Sequence, residues 1–440
     1  MSYSDLHVHL YGCLTSDILY ELARSKQNIS WQFFENGFEQ AFQFRPDMGQ
    51  LLSLPQNQGF EEFRKVYLIT ENGDFSQFQA KFNLIIAIAS LRDPEEAGWL
   101  VRKICKNHHA EKLIHVEYRM LFPPWVDQLL FNQLVQTICH EMARYEESTS
   151  NAFEPRFSLS LPRTESGPIH YQWLRALMQA DHTVAYITTS VDFCFIEEGF
   201  PPKNQRLLFQ KILDDNRKKS EQALAILYHV GESFGDKSLE SAIRWIHESA
   251  ELGAHRLGHA LALGINPELY QGQTSRETVA ERMDQIDYDL KYFQELTQLG
   301  IMIDRDHLQS ERKKLQEMSG QYIECVYDAN RVDACKKRQD FVMDYLKSHQ
   351  VCVESCPTSN MRIGNIQTPL RHPLKRFLER NVPVVIGSDD PGLFGVSLPA
   401  EMDWIRSNLY LSVENMSDLS GNTERFRSEI ISGRTLLKKQ

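Results

Sequence analysis

Apolar runs in this 440-residue chain are short. Residues 84–89 form one of the longest, well below the roughly 20 that cross a bilayer, which excludes a helical membrane span. Basic residues are in deficit: 48 Lys and Arg stand against 59 Asp and Glu, a net charge of −11. That balance argues against a nonspecific nucleic-acid or anionic-membrane surface, so neither a membrane nor a stable nucleic-acid partner is expected. Internal repeats and low-complexity tracts are missing, which removes solenoids and repeat arrays. The eight cysteines have no regular spacing and no leader is read before the first strand, so a cytoplasmic chain with reduced thiols is expected. What remains, 42% apolar with ordinary aromatic content, reads as a soluble globular protein with a large core.

Such a length exceeds the roughly 250 residues of a plain barrel and fits one barrel domain, 1–440, with helical insertions at about 15–112 and 265–345. Strand patterns are read at 3–10, 113–120, 155–162, 184–195, 223–230, 255–261, 350–356 and 383–389. Helical patterns such as 93–106 and 131–144 separate them, so a parallel (β/α)8 barrel is the predicted closure. Asp93 followed by Pro94 supplies a helix start signal. The first insertion is expected to place helices over the C-terminal mouth, where Phe75, Phe78, Phe82 and Leu84 are candidates for an apolar lid; core packing is the more usual role. The second insertion is rich in mixed charge, and its use for a lid, a partner or a homo-oligomer stays open.

Chemistry-bearing residues recur at the ends of the apolar runs. His7 and His9 flank Val8 in the first strand, where residues two apart point the same way. His229 closes a run at 227–230, His259 follows Gly258, and Asp389-Asp390-Pro391 follows 383–388. Collecting side chains from the C-terminal ends of several strands is how such a barrel assembles a site. Three His and one carboxylate suit a single divalent ion, while Glu232, His259 and Asp390 remain for proton transfer. The other histidines, among them His108, His140 and His307, read as solvent-facing.

The order His7-Val8-His9, His229-Val230-Gly231-Glu232, Arg256-Leu257-Gly258-His259, Cys356-Pro357-Thr358-Ser359-Asn360 and Ser388-Asp389-Asp390-Pro391 resembles the adenosine/AMP deaminase family of the amidohydrolases. Val116-Glu117-Tyr118-Arg119 is similar to its second-strand segment. The resemblance implies hydrolytic removal of a purine 6-amino group. It makes His7, His9, His229 and Asp389 the ligands of one divalent ion, Zn²⁺ foremost, with Fe, Co and Mn also suited to the set. It implies further that Glu232 donates a proton to purine N1, that His259 serves as base beside the water, and that Asp390 meets N7, with Gly231 a substrate contact. A small purine nucleoside or nucleotide is the implied ligand. Two other readings stay open: a silent deaminase-like binding or scaffold protein, and an amidohydrolase for another aminated purine.

Two lookalikes fail. His109-Ala110-Glu111 supplies half of the cytidine-type signature, but Cys352 and Cys356 are wrongly spaced for the rest. Binuclear amidohydrolases place a lysine on the fourth strand, and 184–195 has none, which favours one metal. The chain also departs from the nucleoside-deaminase pattern. Tyr11 replaces the Asp that meets the ribose 5′-hydroxyl, and Val191-Asp192-Phe193-Cys194-Phe195 lacks the glycine that faces N3. A carboxylate there would repel a phosphate by on the order of 1–4 kcal/mol at about 4 Å, so its loss opens the site to 5′-phosphorylated adenosines. Arg362 is the candidate phosphate partner.

Overall fold

The computed structural model describes residues 2–89, 91–318, 322–364 and 366–434. Eight parallel strands form the barrel: β1 (Tyr3–His9), β2 (Leu113–Leu121), β3 (Glu154–Pro162), β4 (Thr188–Cys194), β5 (Ala225–Val230), β6 (Arg256–His259), β9 (Cys352–Ser355) and β10 (Val384–Ile386), in that order. Between β6 and β9, β7 (Thr274–Thr278) and β8 (Tyr322–Val326) pair antiparallel as a separate ribbon. The barrel closes through a parallel bridge from Val8 to Asp389, with the His9 N–H donating to the Asp389 carbonyl at 2.8 Å. Strands with covered faces read as apolar runs, and β5 and β10 are buried at every position. This is a (β/α)8 barrel. Among the described residues no helix is long and apolar enough to cross a membrane.

Three expectations need correction. The fourth strand begins later than 184, because His182–Ile187 is a helix; the Asp181 side chain accepts the Val184 N–H as its N-cap, and that local bond outweighs β-branched content. The second insertion is only partly helical. Its ribbon lies beside the helices Val279–Lys291, Arg305–Gln316 and Ala329–His349. Buried pairs fasten it to the helix Leu239–Leu252, such as Glu277 accepting from Ser238 Oγ at 2.7 Å and Ser241 Oγ at 2.9 Å. His108 is buried, with Nδ1 at 2.8 Å from the Tyr118 hydroxyl, because it continues the Val101, Ile104, Cys105 stripe of the helix Pro94–Ala110. His140 stays half exposed against Asp181, and His307 is exposed.

The first insertion forms six helices between β1 and β2. Asp93 caps the last of them with Pro94 at its first turn. Its fifth helix, Phe75–Ile88, meets the barrel end directly: Phe78 stacks on Phe394 at 6.1 Å. Leu84 is fully buried core, whereas Phe75, Phe78 and Phe82 are only partly covered.

Candidate functional site

At the C-terminal end of the barrel, side chains from β1, β5, β6 and the turn after β10 converge. The nearest ring nitrogens of His7, His9 and His229 lie within 4.8 Å of one another. Asp389 Oδ1 stands 3.6 Å from His7 Nε2 and 3.2 Å from His9 Nε2. Asp389 adopts φ 61°, a left-handed conformation uncommon off glycine, so the chain holds this carboxylate in place at a conformational cost.

The second nitrogen of each of two of these histidines is already committed. His7 Nδ1 donates to Glu354 Oε2 at 2.9 Å and His229 Nδ1 to Asp192 Oδ1 at 3.0 Å. Both Nε2 atoms are then buried with no hydrogen-bond partner among the described residues. Buried polar atoms rarely go unsatisfied, and paired lone electrons aimed at one point fit a divalent ion. Electrostatics agree. Burial opposes protonation of His9, but Asp390 and Asp389 outweigh it and push the ring to about 9, the response of a site with excess negative charge. Burial lowers His229 to about 3, which leaves it neutral and able to ligate. Cys356 is also within 4.8 Å of His7 and Asp389, but burial raises its thiol well above the ordinary range and disfavours the thiolate.

Beneath the histidines lies an ion network. Arg119 donates to Glu354 at 2.5 Å and approaches Asp192 at 3.5 Å; Arg256 joins Glu354 at 2.7 Å and Glu117 at 2.6 Å. All five side chains are essentially without solvent exposure. Burial alone would raise Glu354, but Arg119 and Arg256 hold it well below the usual carboxylate range. The supporting roles of Glu354, Asp192 and Arg119 were not read from the sequence. Their one signal is a charge standing inside an otherwise apolar strand.

Beside the ligands, His259 Nε2 lies 3.6 Å from Glu232 Oε2, and Glu232, His259 and Asp389 present atoms within 4.8 Å of one another. Burial raises Glu232 and favours its protonated carboxyl. Burial and Asp389 push Asp390 up to about 8, and its Oδ1 is buried without a partner. A Cβ on Gly12 would fall 1.8 Å from that oxygen, so glycine is needed where the turn after β1 passes Asp390. Gly231 has φ 70°, and a Cβ there would also meet Ile246 at 2.8 Å.

Tyr11 and Arg362 are held by other partners. Tyr11 packs in the main core, with its hydroxyl raised by burial and by Glu96. Arg362 donates to the carbonyls of Ile69 and Phe394 and lines a cavity of about 590 Å³ with Lys81 and Phe78. Among the described residues neither makes a hydrogen bond, ion pair or ring contact with the histidine cluster.

The helix Pro357–Ile363 opens with Thr358 N–H donating to both Glu401 oxygens at 3.2 Å. Burial pushes Glu401 from its ordinary 4.5 to about 8. A carboxyl that binds its proton more tightly folded than unfolded loses stability as pH rises from about 5 to 8. Glu401→Gln is therefore expected to gain stability over the parent across that window, by a few kcal/mol at about 1.4 kcal/mol per unit. Urea midpoints of both proteins at several pH values test it; parallel curves would refute the assignment.

Against known proteins, the profile of the family described as adenosine deaminase matches residues 323–428, the part that carries β9, β10 and Asp389. An adenosine deaminase of Vibrio cholerae is 38% identical over 90 residues, which is 20% of this chain. The alignment spans only 27% of that relative's length. Over the whole fold, an apo N6-methyl-AMP deaminase from Arabidopsis thaliana has a TM-score of 0.59 at 16% identity, covering 97% of this chain and 92% of that one. A Burkholderia ambifaria amidohydrolase with bound Zn has a TM-score of 0.57 at 13% identity, covering 97% and 85%.

Proposed function

We propose that this chain is a metal-dependent hydrolase of the adenosine/AMP deaminase family, removing the 6-amino group of an adenosine compound. The observation that carries the reading is the meeting of His7, His9, His229 and Asp389 with Glu232, His259 and Asp390, two ligand nitrogens being buried and unpartnered. The first four would hold a divalent ion, which would supply Lewis-acid charge to activate water. Glu232, kept protonated by burial, donates to ring N1 as C6 becomes tetrahedral. His259 takes one proton from the attacking water and passes it to the leaving amine, and the remaining hydroxyl proton returns to Glu232 as the C6 carbonyl forms and ammonia departs. Asp390 shares its proton with N7 and orients the ring, with the Gly231 backbone alongside.

On the substrate, we infer an adenine nucleotide or another 5′-modified adenosine. Two features support it: no carboxylate stands at position 11, and the Arg362 guanidinium lines the 590 Å³ cavity beside Phe394, four residues beyond Asp390. The expected result is one tightly held divalent ion per chain and ammonia release, with higher kcat/KM for a phosphorylated member among adenosine, 2′-deoxyadenosine, AMP, ADP, ATP and N6-methyl-AMP. Full activity without stoichiometric metal would overturn the metal assignment. Markedly higher kcat/KM for adenosine than for every phosphorylated member would overturn the nucleotide assignment.

A further inference from the structure

The loops after β4 and β5 are joined by a single buried carboxylate. Glu197, 6% exposed, accepts three successive backbone N–H groups: Gly231 on Oε1 at 2.9 Å, then Glu232 at 3.2 Å and Ser233 at 3.3 Å on Oε2. Such a run of amides would otherwise be orphaned, since the turn at Gly231 is left-handed and belongs to no helix or ladder. Neighbouring contacts fasten the same two loops. Ser233 Oγ donates to Glu198, and Gly199 N–H donates to Asp236 at 2.8 Å. Behind them Arg163 donates to the carbonyls of Phe195, at 3.0 Å, and of His229.

We propose that Glu197 is a positioning residue for the acid Glu232, holding the 231–233 turn so that its carboxyl stays beside His259 and Asp389. This rests on the role of Glu232 proposed above. The physical basis is that residue 232 is anchored through its own amide and those on either side, so the direction of its side chain depends on one acceptor. Charge-assisted bonds to buried amides are the strong kind, and these three are the ones that reach the amides of residues 231–233 themselves. Glutamine does not replace the carboxylate. Its oxygen can take the Gly231 amide, but its NH₂ would face the donors of Glu232 and Ser233. Displacement of a reacting group by about 1 Å can cost on the order of 100-fold in rate.

Two measurements test the proposal on the intact metal-loaded chain. In the first, Glu197→Ala and Glu197→Gln are expected to lower kcat about 10-fold to 100-fold with KM and metal content little changed. In the Glu232→Gln background the same changes should cost almost nothing, since Glu197 acts through Glu232. Equal losses in both backgrounds would mean that Glu197 only supports the fold, and would overturn the proposal. In the second, hydrogen exchange at 231–233 is expected to quicken by at least about 10-fold in Glu197→Ala, as for amides losing a buried acceptor. Unchanged exchange would overturn it without reference to any substrate. Full activity of Glu232→Gln alone would instead sink the role of Glu232, a different failure.

Discussion

Glu232→Gln lowers kcat by at least about 100-fold while metal content stays at the parental value, as expected for loss of general acid catalysis. The amide keeps the size of the side chain and its backbone anchor on Glu197, so only the transferable proton is lost. The carboxyl is suited to the task because burial favours its neutral form, which is the donor. His259→Ala should cause a loss of the same order, since its Nε2 is the neighbour of Glu232 and its Nδ1 is buried without a partner. Steady-state rates on a responsive adenosine compound, together with elemental analysis, decide the matter. Parental turnover in both variants would remove these residues from the chemistry.

Arg119→Met is expected to destabilise the metal-free protein by about 3–5 kcal/mol, the usual result of leaving buried charge uncompensated. Glu354 would keep Arg256, but Asp192 would lose its guanidinium and retain only Ser160 and His229 as side-chain partners among the described residues. Since Glu354 and Asp192 set the orientation of His7 and His229, metal affinity should also fall about 10-fold to 100-fold. Denaturant unfolding of the metal-free protein and titration against a competing chelator separate the two effects. Stability within about 1 kcal/mol of the parent would show that the network carries little free energy.

The barrel was legible because strands such as β5 and β10 are buried, mainly apolar runs, and because His7, His9, His229 and Asp389 stand near strand ends. Periodicity could not register the ribbon of β7 and β8. Only one of their ten residues is buried, polar and apolar positions are mixed along them, and each strand finds its partner some 50 positions away. Helix His182–Ile187 was hidden by Val184 and Ile187, since its capping bond from Asp181 weighs more than their β preference. Supporting residues were harder still. Glu354 stands out as a charge between Val353 and Ser355, yet nothing local reveals that it takes His7, Arg119 and Arg256 together. Glu197 lies in an unremarkable loop and acts on backbone, which leaves no mark in side-chain chemistry.

Closure of β1 against the turn after β10 has a consequence for the order of events during folding. His7 and Glu354 are 347 positions apart, and Asp5 and Ser388 are 383 apart. The ion pocket is thus made of contacts with very high sequence separation, whose loop-closure entropy must be met before they reward the chain. On a ribosome the two N-terminal histidines would emerge long before Asp389 and wait in an unclosed sheet with a bare edge at β1. The candidate ion site can therefore form only once the ring has closed, so its four side chains meet late in folding.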